Sequence, residues 1–433
     1  MRRPAARSLP SELFDRAAQD DLLQLRNDLM TVYREFSAED PRLFPLRYAR
    51  TVPRRPHTVR SARGPGSGGP RGRPQPARPP TDIADPQVPV LLIPDGPARA
   101  SVLPYDVLRR SMAGRGLDVL MMEHRVVGLS RLDAEGEDLP LSAMSLREVI
   151  GDLLAVLDHA RVPQAAIVGT GYGAYLAQLL AILHPERVHS LVLDSPLTSS
   201  RDEAIAQQAL RGLYWEGTDP RTATTARTLR RLAQEGTVDV SRAGPVVLAV
   251  HEHGGPAAVR DLVDLLAVGR GHLTWTSVRQ VLNQAWLQST PYVIEHDLTA
   301  RIAHTELGSG RHADGGPLDP LLLEAGQARA VAPFTGERLD LHALAPAITA
   351  PTLVLTGTQD LASPPQIARE LAARIPGAQL LEVPGARHSI LDTRSRILQV
   401  AARWSACGTA HRLPEHAEAL AALPVSATDL ALS

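Results

Sequence analysis

Three short segments of the chain carry residue types whose spacing could support acyl-transfer chemistry. The stretch GTGYGA at residues 169–174 has the glycine spacing of the G-x-S-x-G turn, which projects a nucleophile above a sheet, and Gly171 stands at its centre. The other two are TGTQD, which ends at Asp360, and PGARH, which ends at His388. An acid followed along the chain by a histidine completes the order in which such sites place an orienting carboxylate and a general base. Asp360 and His388 are therefore candidate catalytic residues, and Gly171 marks the position of a missing nucleophile.

The three segments follow short apolar runs that alternate with longer helical patterns. Strands are predicted at residues 88–93, 117–122, 165–168, 188–193, 352–356 and 379–383. Helices are predicted at residues 105–112, 146–159, 173–183, 367–374 and 389–404. Apolar runs of this kind, separated by helices, predict an α/β fold with a mostly parallel sheet covered by helices on both faces.

The remaining segments predict additions to this core, which spans residues 88–195 and 347–407. Helical patterns at 256–268 and 275–288 predict that residues 196–346 form an inserted helical cap. Apolar spacing predicts an amphipathic helix at residues 11–36, within an N-terminal helical extension of residues 1–50. Residues 51–87 contain a stretch rich in Arg, Pro and Gly, which predicts a mobile linker, and residues 408–433 are predicted to be a C-terminal tail.

Composition excludes several classes of protein. The 433 residues carry 46 basic and 47 acidic side chains, and this formal charge of −1 disfavours a nucleic-acid partner. The single cysteine, Cys407, excludes an intrachain disulfide, and His251, His253 and His272 lack metal-ligand spacing. We therefore expect neither a metal nor another cofactor. The chain shows no signal peptide and no apolar run long enough to span a membrane, so the predicted location is the cytoplasm, without a membrane partner.

From about residue 88 to 404 the chain resembles the α/β-hydrolases, and within them the proline iminopeptidase and tripeptidyl aminopeptidase type. Five motifs in the family's order carry the resemblance: VLLIPDGPA, EHRVVGLSR, VGTGYGAYLAQ, TGTQD and PGARH. The segment TPYVIEHDLTARIAHTEL is also similar to the cap of that type. The resemblance implies a Ser-His-Asp hydrolase with an oxyanion hole formed by the backbone N–H groups of Gly96 and Tyr172, both of which are retained.

The sequence departs from this family at three positions. Gly171 replaces the nucleophilic serine, Val126 replaces a glycine, and Asp95 replaces the first glycine of the oxyanion loop. An Asp95 carboxylate beside the oxyanion hole would oppose the developing negative charge that such a hole stabilises. Thr170 precedes the apex of the turn and is expected to point away from the cleft, so it is not a substitute nucleophile.

These departures leave three functional hypotheses. The first is a protein that is inactive or very slow as a hydrolase and that binds a small peptide-like, amide or ester ligand, or a protein partner, in the cleft between core and cap. The second is a hydrolase in which the His388/Asp360 dyad activates water, and the third is a non-hydrolytic enzyme with His388 as its base. Asp95 and Glu216 are candidate ligand-binding residues. By resemblance Glu216 would bind a substrate amino group, and otherwise it is a solvated surface residue.

Overall fold

The computed structural model describes residues 28–53 and 86–425. These residues form one eight-stranded sheet with the strand order β1-β2-β4-β3-β5-β6-β7-β8. The strands are β1 Leu29–Ser37, β2 Asp40–Thr51, β3 Val90–Ile93, β4 Val119–Met122, β5 Ala165–Thr170, β6 Val188–Asp194, β7 Thr352–Gly357 and β8 Gln379–Val383. The strands from β3 to β8 pair in parallel, and β1 and β2 add an antiparallel edge. This is the predicted α/β architecture.

Helices cover both faces of the sheet. The helices of the core are α1 Asp106–Gly114, α2 Leu146–His159, α3 Tyr172–Leu183, α11 Pro365–Arg374, α12 Ile390–Thr393 and α13 Ser395–Ala406. Helices α2 and α3 bury their apolar side chains in one hydrophobic cluster, and α1 and α13 bury theirs in a second cluster. Because β3, β4, β5 and β7 are buried along their whole length, these central strands lie between the two clusters.

A long helical segment connects β6 to β7. It contains α4 Asp202–Arg211, α5 Ala223–Gln234, α6 Gly244–Ala267, α7 His272–Leu287, α8 His296–Ala300, α9 Leu322–Ala328 and α10 Leu341–Leu344. A third hydrophobic cluster, with Leu210, Leu229 and Val263 among its members, lies within this segment, which we call the insertion. Helix α6 is interrupted at Gly255, which has a φ of 73° and precedes Pro256. The insertion therefore has a core of its own and approaches the sheet at the carboxyl ends of its strands.

The predicted helix at residues 11–36 is wrong where the structure describes it, because Leu29–Ser37 is the edge strand β1. Strand β2 buries every second residue, Phe44, Leu46 and Tyr48, and pairs with both β1 and β4. This alternation is typical of a half-buried strand. Pairing with β2 makes residues 29–37 extended as well. Residues 29–51 thus belong to the sheet rather than to a separate helical extension.

Two further boundaries differ from the predictions. The expected tail beyond residue 407 contributes Leu413 and Leu420 to the second hydrophobic cluster, and it includes the helix α14 Ala417–Ala421. The predicted helix at residues 389–404 is divided at Arg394, whose φ of −144° is not helical.

Parts of two predicted segments lie outside the described residues. These are the portion of the predicted N-terminal helix before residue 28 and residues 54–85 of the predicted Arg-rich linker. In the described part of the chain, no helix has the length and apolar character needed to cross a bilayer.

Candidate active site

The strand-to-helix turn after β5 has the tight geometry that its glycine spacing predicts. Gly171 has a φ of 53° and a ψ of −115° at the apex, a conformation that side chains disfavour. A Cβ atom on Gly169 would lie 2.3 Å from the carbonyl oxygen of Gly173, so the turn closes on itself. The Thr170 hydroxyl donates to Asp194 over 2.9 Å and is fully buried, so it points away from the cleft as expected.

The acid and the histidine predicted from the sequence lie together. Nδ1 of His388 lies 3.1 Å and 3.2 Å from the two carboxylate oxygens of Asp360, whose side chain is fully buried. The His388 side chain is 23% exposed and directs its Nε2 toward the loop after β3. This arrangement has a buried acid that orients the imidazole and leaves its second nitrogen facing the cleft, as a general base requires.

The carboxylate of Asp95 fills the space in front of this histidine. Its Oδ1 accepts hydrogen bonds from the backbone N–H of Gly96 at 2.9 Å and of Tyr172 at 3.0 Å. Its Oδ2 lies 3.7 Å from Nε2 of His388. Both N–H groups of the expected oxyanion hole are therefore in place, but an internal carboxylate occupies them.

The side chain of Asp95 also explains why the apex of the turn is a glycine. A Cβ atom at Gly171 would lie 2.3 Å from Oδ1 and 2.7 Å from Cγ of Asp95. These distances are far below van der Waals contact, so a side chain at Gly171 and this position of Asp95 exclude each other.

Asp95 and His388 form an ion pair. Burial alone would raise the pKa of Asp95, but the interaction with His388 and the positive charge of Arg99 lower it to about 2. Burial alone would lower the pKa of His388, but the carboxylates of Asp360 and Asp95 raise it well above its usual value. Both shifts favour the charged form of His388 between the two carboxylates.

Two groups that the sequence reasoning missed hold the His388 loop. Asp194, at the end of β6, accepts from the backbone N–H groups of Ile390 and Leu391 at 3.2 Å and 3.0 Å. Glu252, from helix α6 of the insertion, accepts from the backbone N–H groups of His388 and Leu361, each at 2.8 Å. Asp194 could have been found in the sequence by the pattern that points to Asp360, because both are carboxylates at the carboxyl end of a predicted strand. Glu252 carries no comparable signal, because its contact depends on how the insertion packs on the core.

A cleft of about 240 Å³ opens beside Asp95, between the core and the insertion. Arg99, His296 and Glu324 are among its lining residues. Burial, together with the charges of Glu203 and Asp95, raises the pKa of Glu324 to about 8. The cleft therefore presents a cation close to the Asp95–His388 pair, together with a carboxyl group whose protonated form is favoured.

Two residues singled out in the sequence lie away from this cleft. Glu216 is exposed at the end of the π-helical turn Gly212–Glu216 and is not among the residues that line this cleft, so a role in ligand binding stays a prediction beside the alternative of a solvated surface residue. Val126 is fully buried in the first hydrophobic cluster with a φ of 63°, the left-handed region that favours glycine. Val126 is thus a buried packing position and is not part of the lining of this cleft.

Comparison with known proteins agrees with this architecture. The family described as alpha/beta hydrolase fold matches residues 88–239, and the family described as TAP-like protein matches residues 330–402. The chain therefore has the α/β-hydrolase fold.

The chain is similar to the rhodomycin D methylesterases of Streptomyces sp. (strain C5) and Streptomyces peucetius. The first is 27% identical over 329 residues, covering 71% of this chain and 87% of the relative. The second is 26% identical over 324 residues, with the same coverage. Among solved structures, the proline iminopeptidase of Mycobacterium smegmatis is 16% identical with a TM-score of 0.49, covering 87% of this chain and 97% of that one.

Proposed function

We propose that this protein binds a small ester, amide or peptide-like ligand in the cleft beside Asp95 and does not perform serine-type acyl transfer. The observation that carries the proposal is the Asp95 carboxylate, whose Oδ1 accepts both N–H groups of the oxyanion hole. A substrate carbonyl oxygen needs those donors in the transition state, and Gly171 supplies no hydroxyl to attack it. Relatives named as methylesterases support ester ligands, and the sequence resemblance supports peptide-like ones.

Hydrolysis of esters and amides tests the first part of this proposal. We expect the protein to cleave p-nitrophenyl esters, methyl esters and prolyl anilides no faster than a His388→Ala variant. Loss of one triad member typically lowers the rate by ~10⁶, leaving ~10³ to 10⁴ over water from binding and the oxyanion hole, which here is filled. A serine-directed fluorophosphonate should not label the protein. Turnover that disappears in His388→Ala would contradict the proposal.

Ligand binding tests the second part. Small methyl esters and prolyl amides should raise the melting temperature, because a ligand that binds only the folded state stabilises it. The variant Ala303→Phe places an aromatic ring in the cleft, since Ala303 is one of its lining residues, and should abolish the shift. Ala134→Phe makes the same change at an exposed turn and is the matched control. A shift that survives in Ala303→Phe would place the ligand elsewhere.

The hydrogen bonds between His388 and Asp360 favour a second candidate function, in which the dyad activates water. This reaction requires a neutral imidazole with space for water at Nε2, whereas the Asp95 carboxylate faces Nε2 at 3.7 Å. The two candidates make different predictions for Asp95→Gly. In the second case the wild-type protein already hydrolyses esters slowly and removal of the carboxylate should raise that rate, whereas in the first case neither protein should hydrolyse them.

A further inference from the structure

A second cavity, of about 430 Å³, lies where helices α2 and α3 meet the insertion. Ligand pockets in proteins usually measure about 300 to about 1,000 Å³ and are lined mostly by apolar side chains. The apolar walls of this cavity are Leu146, Ile150, Leu154, Leu179, Leu183 and Leu339. Leu183 is 47% exposed, so the cavity opens to solvent beside it. Of the described residues, none lines both this cavity and the cleft beside Asp95.

The two helices give the cavity an apolar trough with a polar end. Helices α2 and α3 each connect parallel strands, so they run in the same direction. On each helix the lining residues recur at every fourth position and form a stripe, which is about 12 Å long at a rise of 1.5 Å per residue. Arg147 and Tyr175 belong to the first turns of the helices, and Oε2 of Glu306 accepts from the backbone N–H of Leu146 at 3.0 Å. The polar groups therefore gather at the amino-terminal ends of the helices.

Two buried polar groups at this end have unused hydrogen-bonding capacity. Tyr175 and Glu306 line the cavity and are only 2% and 8% exposed. Among the described residues, the Tyr175 hydroxyl and Oε1 of Glu306 have no hydrogen-bond partner, and neither atom is fully enclosed by protein. Burial and the charges of Glu337 and Glu306 raise the pKa of Tyr175, so its hydroxyl stays protonated. Because unpaired polar groups in buried positions are unfavourable, a ligand that bonds to both atoms is favoured.

Two arginines at the rim of the cavity supply positive charge. Arg147 and Arg338 line the cavity and are exposed. In the part of the chain that the structure describes, neither side chain forms an ion pair or a hydrogen bond. A guanidinium group pairs well with a carboxylate, because two parallel N–H groups can donate to its two oxygens. The rim therefore favours a ligand with an anionic group.

We propose that this cavity binds a medium-chain 3-hydroxy acid, with its carboxylate at the two arginines, its hydroxyl between Tyr175 and Glu306, and its alkyl chain along the apolar stripes. A hydroxyl both donates and accepts, so it can donate to Oε1 of Glu306 and accept from Tyr175 at once. A simple fatty acid has no donor for Glu306, and an uncharged diol has no anion for the arginines. An extended ten-carbon chain is comparable in length to the stripes. This site is separate from the cleft, and it goes beyond the binding proposed there.

Titration calorimetry of the full-length protein with 3-hydroxydecanoate tests the proposal. We expect one site per chain, with decanoate binding about 10-fold more weakly because it leaves Oε1 of Glu306 without a donor. The diol 1,3-decanediol should also bind about 10-fold more weakly, because it lacks the charge that pairs with the arginines. Ala303→Phe obstructs the cleft and should bind 3-hydroxydecanoate as the wild type does. Absence of binding, loss of binding in Ala303→Phe, or equal affinities for the three compounds would overturn the proposal.

Glu306→Gln tests the buried end of the site. The carbonyl oxygen of Gln can still accept from the N–H of Leu146, while its NH₂ group donates where Oε1 of Glu306 accepts. Decanoate should then bind at least as tightly as 3-hydroxydecanoate, and a melting curve close to that of the wild type should show that the variant is folded. A folded variant that keeps the preference for the hydroxy acid would contradict the proposed contact with Glu306.

Arg147→Ala tests the rim. We expect it to weaken both acids about 3-fold and to leave 1,3-decanediol unaffected, because an exposed ion pair contributes modestly. Arg396→Ala is the matched control, since Arg396 is also exposed, is also the second residue of a helix, α13, and has no ion-pair partner among the described residues. It should bind all three compounds as the wild type does. Equal weakening in the two variants would show that the carboxylate does not lie at Arg147.

Discussion

The two halves of the candidate site have diverged to different extents from the hydrolase pattern. In the acid–histidine half, Asp360 is buried and orients His388 at 3.1 Å, as the pattern requires. In the other half, which we call the nucleophile half, Gly171 stands at the apex of the turn and Oδ1 of Asp95 accepts from the N–H groups of Gly96 and Tyr172. The two halves therefore differ in how closely they follow the pattern, although they share one sheet edge.

The difference between the halves also shows that Gly171 and Asp95 act as a pair. A side chain at position 171 would overlap Oδ1 of Asp95, whereas the glycine leaves room for the carboxylate to reach both N–H groups. The effect of Gly171 in the turn after β5 therefore depends on Asp95 in the loop after β3. We expect variants of either residue alone to give results that differ from those of the double variant.

The largest effect expected from this coupling is on ester hydrolysis. Asp95→Gly empties the oxyanion hole, and Gly171→Ser supplies a hydroxyl beside His388. We expect the double variant to hydrolyse p-nitrophenyl acetate on the order of 10³-fold faster than either single variant, because the dyad and both N–H donors are already in place. Initial rates of the four proteins test this. Equal activity of Gly171→Ser alone would show that Asp95 does not block the hole.

A smaller effect is expected on stability. Gly171→Ala should destabilise the protein by about 2 to 4 kcal/mol, from backbone strain at φ 53° and from overlap with Asp95. In an Asp95→Gly background only the strain of about 1 to 2 kcal/mol should remain. Urea unfolding of the four proteins gives the coupling free energy between the positions. Additive effects would mean that the carboxylate moves aside at little cost, which would weaken the argument for a matched pair.

The two halves differ as well in how far the sequence predicts them. Asp360 and His388 follow β7 and β8, and the rule that ligands gather at the carboxyl ends of parallel strands is sufficient to bring them together. The sequence also predicts that Asp95 lies beside the oxyanion hole. It does not predict that the carboxylate bonds to both N–H groups, because that depends on side-chain torsions and on a contact between residues 77 positions apart.

The fold shows the same division between local and long-range information. Strand β8 is predicted with its observed bounds, and so is helix α2, because each has a clear period within its own residues. Strand β1 is mistaken for part of a helix, because its conformation depends on pairing with β2, which in turn pairs with β4. Edge strands of this kind carry a weak local pattern, and tertiary context decides their structure.

A third expected effect is a pH dependence of stability with opposite signs in the two halves. In the nucleophile half, the pKa of Asp95 in the folded protein, about 2, lies below the usual 3.8. Its contribution is therefore present above about pH 4 and is lost as the pH falls toward about 2. In the acid–histidine half, burial and the neighbouring charge of Asp360 raise the pKa of Glu252 from 4.5 to about 7, although His388 opposes this.

The contribution of Glu252 is therefore complete below its usual pKa of 4.5 and is lost as the pH rises through about 7. Asp95→Asn should flatten the acid side of the profile, and Glu252→Gln should flatten the side between about pH 5 and pH 7. Gln can accept only one of the two N–H bonds that Glu252 accepts, so this variant should also lose about 1 kcal/mol at every pH. Urea unfolding of both variants and the wild type from about pH 3 to pH 8 measures these slopes. Asp95→Asn also removes a charge that raises the pKa of His388 and of Glu324, so its curve reports Asp95 together with these two partners. If both variants flatten the same side of the profile, the two carboxyls do not have the opposite environments that distinguish the two halves.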